Sequence, residues 1–355
     1  MVLIKYDSEG DQKWNTVYLP NSGTAHTIQK AYIENNIIHL VTTSTSNIYL
    51  IKFSSTGNLI EETQLVSNLV FYRLLMKDGD FYTTETLYPW GADYPEMTNT
   101  KVSKYDASGL LLWSHTYNFT LATGFRFDND GNILLSGRND LTYYTNANGV
   151  EGDVKTDVFI RKINADGTEP WVRSFSLEED SFENIWGTAL DENNNAYFVY
   201  TNTNYISYIP PRIYKINSSG DLIWSQTFTH PEYGNQSLYR SIQYYKSKIY
   251  LSGKSNIPSQ ANILTLCLDL EGAVNWHSTL LTQTEDSGQY MFLKFDNNDN
   301  VYSFGYKYNN NTIGNIYVQA NNSDGIVLDD LVLNSTGTAK ESIRNAVTHL
   351  TQFIY

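Results

Sequence analysis

The chain has 355 residues, of which 41% are apolar and only 17% charged, with 28 tyrosines and a formal net charge of −14 at pH 7. That acidity argues against nucleic acid or an anionic membrane as the main partner, and no apolar run is long enough to insert across a bilayer as a helix. A lone cysteine, Cys267, leaves no intrachain disulfide to stabilise the fold.

In chain order, Val2, Leu3 and Ile4 open a strand directly after Met1, with no signal-peptide pattern. That start fits either a cytoplasmic protein or a mature or excised form. The first strand runs into a polar turn, YDSEGDQKW, and this turn then recurs as FSSTGNLIE, YDASGLLLW, INADGTEPW, INSSGDLIW, LDLEGAVNW and NNSDGIVLD. The anchoring glycines are Gly10, Gly57, Gly109, Gly167, Gly220, Gly272 and Gly325, 47 to 58 residues apart. Three positions before each stands Asp7, Ser54, Asp106, Asn164, Asn217, Asp269 or Asn322. A short polar acceptor followed by a glycine able to take positive φ is the chemistry of a tight, bulged hairpin.

Two further columns accompany the glycines. Four residues after them come Trp14, Trp113, Trp171, Trp224 and Trp276, with Glu61 and Asp329 as departures. Five residues before them come Lys5, Lys52, Lys104, Lys162 and Lys215, replaced by Cys267 and Ala320. Cys267 therefore reads as a strand residue of a degenerate repeat. From the second repeat onward a second hairpin lies upstream: ENNIIHLVT, KDGDFYTTE, DNDGNILLSG, ENNNAYFVY, KSKIYLSG and NNDNVYSFG. Apolar residues flank these turns at the two-residue period of strands. Each unit is four strands, A to D, and about fifty residues, the size of a propeller blade.

The ends fix the expected count. The chain starts in a C–D half, residues 2–18, and stops at IRNAVTHLTQFIY, which matches an A strand, a turn and the start of a B strand. Six whole blades and two halves predict an all-β, seven-bladed propeller of four-stranded blades, in one domain spanning 1–355. Its closing blade is shared by residues 2–18 and 341–355, which leaves no open sheet edge.

The pattern K-Y-D-x-x-G-x-x-x-W followed by D-x-x-G-N-I-Y-L-x-G resembles the bacterial and archaeal β-propeller repeats often called SBBP. It is similar, more distantly, to quinoprotein-type propeller repeats. The resemblance covers essentially the whole chain. It implies an extracellular or cell-surface propeller with a binding or scaffold role. It does not imply a quinone: those enzymes look like eight-bladed rings with an adjacent-cysteine disulfide, against seven units and one cysteine here. No cofactor is expected, and the repeated Trp reads as a large apolar wedge between blades.

Catalytic and metal motifs do not stand out. His26, His39, His115, His230, His277 and His349 are scattered, with no pair at ligand spacing, and read as ordinary surface or blade residues. Asp128, Asn129, Asp130 and Gly131 resemble the start of a calcium loop but lack its distal Glu. They read as an A–B turn, and no metal site is expected. Sequons at Asn118, Asn217, Asn235, Asn310, Asn321 and Asn334 permit export without arguing for it.

Two features mark candidate ligand-binding residues. The A–B and C–D turns are short throughout, whereas the B–C and D–A connections share the opposite end of the blades and are long and varied, among them 87–97, 139–156, 175–184, 202–211 and 228–238. They carry Trp90, Tyr94, Tyr143, Tyr144, Tyr205, Tyr208 and Tyr233, aromatics outside the repeat pattern and suited to stacking on sugars or protein side chains. The A strands, expected to line the central channel, carry Lys30, Arg73, Arg126, Arg240, Lys294 and Arg344 at offsets that put them on one face. Arg126, Lys294 and Arg344 are the candidate anchors for an anionic ligand; the fourth blade, with Trp186, Gly187 and Ala189, has no such base. The expected function is non-enzymatic recognition of a glycan or protein through the long-loop end. The alternatives are a glycan lyase or hydrolase using loop carboxylates such as Asp93, Glu178, Glu179 or Asp180, and a module of a larger surface assembly.

Overall fold

The computed structural model describes residues 1–7, 9–21, 23–44, 46–69, 71–87, 99–142, 155–175, 183–202, 210–235, 237–255, 262–281, 292–309 and 312–334. Every named element among them is a β-strand. β1 (Val2–Tyr6) pairs antiparallel with β2 (Gln12–Val17). Blade 1 is β3 (Thr27–Glu34), β4 (Ile37–Ser44), β5 (Asn47–Ser54) and β6 (Leu59–Val66); blade 2 is β7 (Phe71–Lys77), β8 (Asp80–Leu87), β9 (Asn99–Tyr105) and β10 (Leu111–Tyr117). Blade 3 is β11 (Thr120–Phe127), β12 (Ile133–Thr142), β13 (Lys155–Ile163) and β14 (Trp171–Phe175); blade 4 is β15 (Glu183–Leu190), β16 (Ala196–Asn202), β17 (Arg212–Ile216) and β18 (Leu222–Thr227). Blade 5 is β19 (Ser237–Tyr245), β20 (Lys248–Ser255), β21 (Ile263–Leu268) and β22 (Val274–Leu280); blade 6 is β23 (Phe292–Phe295), β24 (Val301–Asn309), β25 (Thr312–Asn321) and β26 (Val327–Asn334). Within each blade the strands lie in sequence order, A to D.

The chain is thus an all-β, seven-bladed propeller. Six blades are four-stranded, and β1 and β2 are the C and D strands of the seventh. Its expected A and B strands, at 341–355, lie outside the described residues. The residues group into two compact units, Met1–Leu121 and Ala122–Tyr355.

The turn chemistry follows the sequence. All seven anchoring glycines have positive φ, between +83° and +90°. At the C–D turns, one side-chain oxygen of Asp106 accepts from the N–H groups of Ser108 and Leu110, each at 2.9 Å. Asn217 does the same for Ser219 at 3.0 Å and Asp221 at 2.8 Å, and Asp269 for Glu271 at 3.0 Å and Ala273 at 2.7 Å. Such Asx turns satisfy backbone donors that the ladder cannot reach. The A–B turn at Asp128 is of the same kind, accepting from Asp130 at 3.1 Å and Asn132 at 2.7 Å. Its second oxygen meets Lys162 at 2.9 Å. Among the described residues no three His, Cys, Asp or Glu side chains gather as a metal site.

The tryptophan column joins blade to blade. Trp14 Nε1 donates to the Ser55 carbonyl at 3.0 Å, Trp171 to Ser218 at 3.1 Å, Trp224 to Leu270 at 3.1 Å and Trp276 to Ser323 at 3.1 Å. Each acceptor lies two residues before the next blade's glycine, and three of these indoles cover that glycine. A Cβ added at Gly57, Gly220 or Gly325 would stand 2.8, 2.7 or 2.5 Å from the indole of Trp14, Trp171 or Trp276. The glycine is therefore needed twice, for its positive φ and for the ring lying on it. In blade 1, where Glu61 replaces Trp, the backbone of Leu65 lies against Gly109 instead, 2.2 Å from the added Cβ.

The lysine column faces the same strand pair. Lys104, Lys162 and Lys215 are the cross-strand partners of Trp113, Trp171 and Trp224, and Lys52 of Glu61. Lys52 pairs with Glu61 at 2.8 Å, Lys104 with Asp80 at 3.0 Å, and Lys215 donates to the Leu270 carbonyl at 3.0 Å. Cys267 takes the lysine's place opposite Trp276, fully buried, and burial raises its thiol pKa. It is a core side chain, as its place in the repeat predicts.

The connections are less uniform than expected. The B–C links between β4 and β5 and between β24 and β25, and the D–A link between β10 and β11, each leave two residues between strands. Long B–C and D–A connections, as the sequence leads one to expect, are therefore not the rule in every blade.

Candidate functional site

Of the aromatics singled out on the connections, Trp90, Tyr94, Tyr143, Tyr144, Tyr205 and Tyr208 lie outside the described residues, as do Arg344 and the carboxylates Asp93, Glu178, Glu179 and Asp180. Tyr233, Arg126 and Lys294 are described.

The bases of the A strands do not share one register. Arg126 and Lys294 sit at matching ladder positions, one residue before the last strand residue of β11 and β23. Arg240 instead occupies a β-bulge between Tyr239 and Ser241. A bulge inserts one residue and reverses the facing of what precedes it, so counting alternate positions back along the strand misplaced Arg240. Trp186 occupies the corresponding bulge of β15, between Ile185 and Gly187. The two bulge residues meet: the Arg240 guanidinium lies over the Trp186 ring, 4.6 Å from its centroid. Lys30 and Lys294 are exposed, whereas Arg126 is half-buried and its Nη1 donates to the Thr188 carbonyl of the next blade. Burial pulls the Arg126 pKa down.

Tyr233 stands in a more elaborate setting. The D–A connection after β18 folds back on itself: the His230 N–H donates to the Gly234 carbonyl at 3.1 Å and the Gly234 N–H to the His230 carbonyl at 2.8 Å. This small loop is pinned to the B–C end of blade 5. Asn262 Nδ2 donates to the Tyr233 hydroxyl at 2.9 Å, while the Asn262 N–H donates to Ser255 Oγ at 2.9 Å. Thr279 Oγ1 donates to the Glu232 carboxylate at 3.3 Å. Beneath lies His230, 1% exposed, its ring 4.9 Å from that of Tyr233 and 5.2 Å, nearly edge-on, from that of His277 on β22.

The proton positions follow from the hydrogen bonds. His230 Nδ1 accepts from the Glu232 N–H at 3.1 Å, so the neutral ring carries its proton on Nε2. Nε2 is buried and has no partner among the described residues. Burial, with His277 adding to it and Glu232 opposing, lowers the His230 pKa to about 4. Burial raises that of Tyr233, with the Glu232 charge acting in the same direction and the Asn262 hydrogen bond against it. At neutral pH the cluster therefore holds a neutral His230 imidazole below and a protonated Tyr233 phenol above, beside the Asn262 amide and the Glu232 side chain.

Sequence reasoning picked Tyr233 and missed the histidines, which it read as ordinary blade residues. His230 and His277 are 47 residues apart, about one blade repeat, and meet because a D–A connection crosses from one blade onto the next. That one-repeat spacing was the available signal, and no ligand-spacing pattern contains it. Trp186 entered the sequence reading only as the place where a base was missing.

No protein-family model matches the chain, and no curated protein matches it in sequence. Solved structures resemble it in fold. A polysaccharide lyase of family PL25, an ulvan lyase bound to -[GlcA(1-4)Rha3S]-, shares 10% identity over 86% of this chain and 83% of its own, with a TM-score of 0.51. The Dos1 propeller shares 10% over 94% and 74%, with a TM-score of 0.48. A prolyl endopeptidase shares 11% over 92% of this chain but 44% of its own, with a TM-score of 0.49. At these identities the likeness is one of propeller fold alone.

Proposed function

We propose that this protein is a non-enzymatic recognition propeller that takes a glycan at the end of its blades where the B–C and D–A connections lie. The observation that carries this reading is the Tyr233 loop. A nine-residue connection is tied by Asn262 and Thr279, with Ser255 holding Asn262, into a fixed aromatic and amide surface whose hydroxyl is held in one direction. Sugars are bound by such combinations of a ring face with oriented donors and acceptors, at low entropic cost when the ring is already held. An extracellular or cell-surface setting, and membership of a larger assembly, belong to the same proposal and rest on the resemblance of the repeats.

The test is a glycan array probed with the full chain, repeated with Tyr233→Ala and with Lys246→Ala. Lys246 serves as the control because it lies in the A–B turn, at the other end of the blade. The reading expects Tyr233→Ala to abolish the strongest signals and Lys246→Ala to leave them intact. Retention of every signal by Tyr233→Ala, with a native melt, would remove the Tyr233 loop as the binding surface.

A second reading has one observation in its favour: two imidazoles lie in contact beside a phenol and a carboxylate. The half-buried His277, with the buried His230 behind it, suits abstraction of a sugar proton, and the neighbouring Tyr233 hydroxyl suits protonation of the departing glycosidic oxygen, as a lyase requires. Incubation with uronate polysaccharides, followed by absorbance of the unsaturated product, decides it. His277→Ala must then eliminate any activity found.

A further inference from the structure

Among the described residues, no ion pair balances the charge of Arg126. Among the described residues its guanidinium has one partner, the Thr188 carbonyl, and its Nε is buried without any. The ion pairs of the described residues engage other bases, Lys52, Lys104, Lys162 and Arg161 among them, and none engages Arg126. A desolvated cation held only by a backbone dipole is costly to the fold, and proteins retain such groups where a counter-charge arrives from outside. The net charge of −14 makes the point sharper, since nothing in the overall charge favours an anion.

A second cation converges on the same stretch of β15. Arg126 reaches Thr188 from blade 3, while Arg240 of blade 5 covers the ring of Trp186. The Trp186 Nε1–H is buried and without a partner among the described residues. Between the two residues stands Gly187, where an added Cβ would come within 3.1 Å of Ile242 and 3.7 Å of the Arg240 carbonyl. The backbones of blades 4 and 5 are thus closely packed at Gly187. Two cationic planes and an indole N–H around three residues of one strand match an acceptor with two oxygens in a plane.

We propose that Arg126, Arg240 and the Trp186 indole form a binding site for the carboxylate of an acidic sugar of the uronate class. The carboxylate is read from these residues alone, and the sugar body rests on the glycan reading above. Its three residues lie on the A strands of blades 3 to 5 and include none from the Tyr233 loop.

The experiment is calorimetric titration of the full chain with sodium glucuronate, sodium acetate, glucose and sodium sulfate, with Trp fluorescence followed in parallel. The proposal expects saturable binding of glucuronate, weaker binding of acetate competing with it, and none of glucose. Arg126→Gln and Arg240→Gln should each weaken glucuronate at least tenfold, and Trp186→Phe should remove the fluorescence change. Should Arg126→Gln fail to fold, Arg126→Lys keeps the charge and loses the planar fork, and the same tenfold loss is expected. Sulfate binding as tightly as glucuronate overturns the carboxylate assignment. Glucuronate binding that survives both arginine changes, or its absence in the native protein, overturns the site. Acetate binding without any preference for glucuronate retains the carboxylate site and refutes the sugar alone, which separates this proposal from the glycan reading.

Discussion

The contact between Trp171 and Gly220 is the place to test how the blades are joined. Gly220 has φ +83°, and a Cβ there would lie 2.7 Å from Trp171 Cδ2 and 2.9 Å from Cε3. Gly220→Ala therefore incurs two costs. The left-handed backbone costs about 1 kcal/mol for a residue with a Cβ, and displacing a packed ring adds roughly 1–3 kcal/mol. Gly10 supplies the control, with φ +89° and nothing within 4 Å of the added atom, so Gly10→Ala carries only the backbone cost of about 1 kcal/mol. Trp171→Ala, removing a ring 9% exposed, costs about 3–5 kcal/mol. In that background the ring is gone, and Gly220→Ala falls back to about 1 kcal/mol. The coupling between the two changes is then roughly 1–3 kcal/mol, well above the additivity error of about 0.5 kcal/mol. Equilibrium urea unfolding of the four proteins and Gly10→Ala measures it. If Gly220→Ala costs no more than Gly10→Ala, or adds to Trp171→Ala without coupling, the indole does not lie on the glycine in solution and the joint is wrong.

Other expectations bear on the two clusters and the lysine column. His230 is neutral in the fold, with its pKa lowered to about 4 against an unfolded value near 6.5. The unfolded chain takes up the proton first, so stability is full above pH 6.5 and falls as pH drops toward 4, by up to about 3 kcal/mol. Urea midpoints between pH 7.5 and 4.5 should show that slope, and His230→Gln should flatten it; an unchanged slope would mean the ring is hydrated. Tyr233→Phe, which removes the bond from Asn262, should cost about 1 kcal/mol in the same assay and leave the melt cooperative. Lys162→Met strands the Asp128 carboxylate, whose side chain is 1% exposed, and should destabilise by about 3–5 kcal/mol, more than any exposed pair such as Lys246–Asp299. A loss below about 1 kcal/mol would show the pair to be solvated.

Much of the fold is legible in the sequence because each blade repeats the same local chemistry. Asn217 and Gly220 announce their turn by composition alone, one as acceptor and the other by its positive φ. Lys215 and Trp224 keep their spacing because they face each other across the β17–β18 pair. Even Cys267 is interpretable, since the column it stands in is defined by five lysines. The connections obey no such rule. Nothing near Asn118 and Phe119 says that two residues will join β10 to β11, where Phe119 itself takes φ +54°. The contact of His230 with His277 depends on where a connection comes to rest, a tertiary outcome that local spacing does not encode.

The A-strand bulges explain the remaining gap and link it to the candidate anion site. β3, β7, β15 and β19 each slip register by one residue near their start, at Gln29, Tyr72, Trp186 and Arg240. A period-two reading of side-chain facing holds only on the far side of that slip, so counting back across it does not give the facing of Arg240. The slip also gives the bulge residue a freedom that ladder residues lack, because its side chain need not alternate with those of its neighbours. Gln29 spends that freedom on a hydrogen bond to Thr43 Oγ1 at 2.9 Å within its own blade. Trp186 and Arg240 spend it on each other, across the boundary between blades 4 and 5. Bulges recur at barrel rims and beside active sites, where they re-aim a side chain. The same backbone device that serves a bond within blade 1 thus yields, in blades 4 and 5, a pair of side chains belonging to neither ladder. Its indole N–H has no protein partner among the described residues, which is the arrangement expected where a ligand completes the bonding.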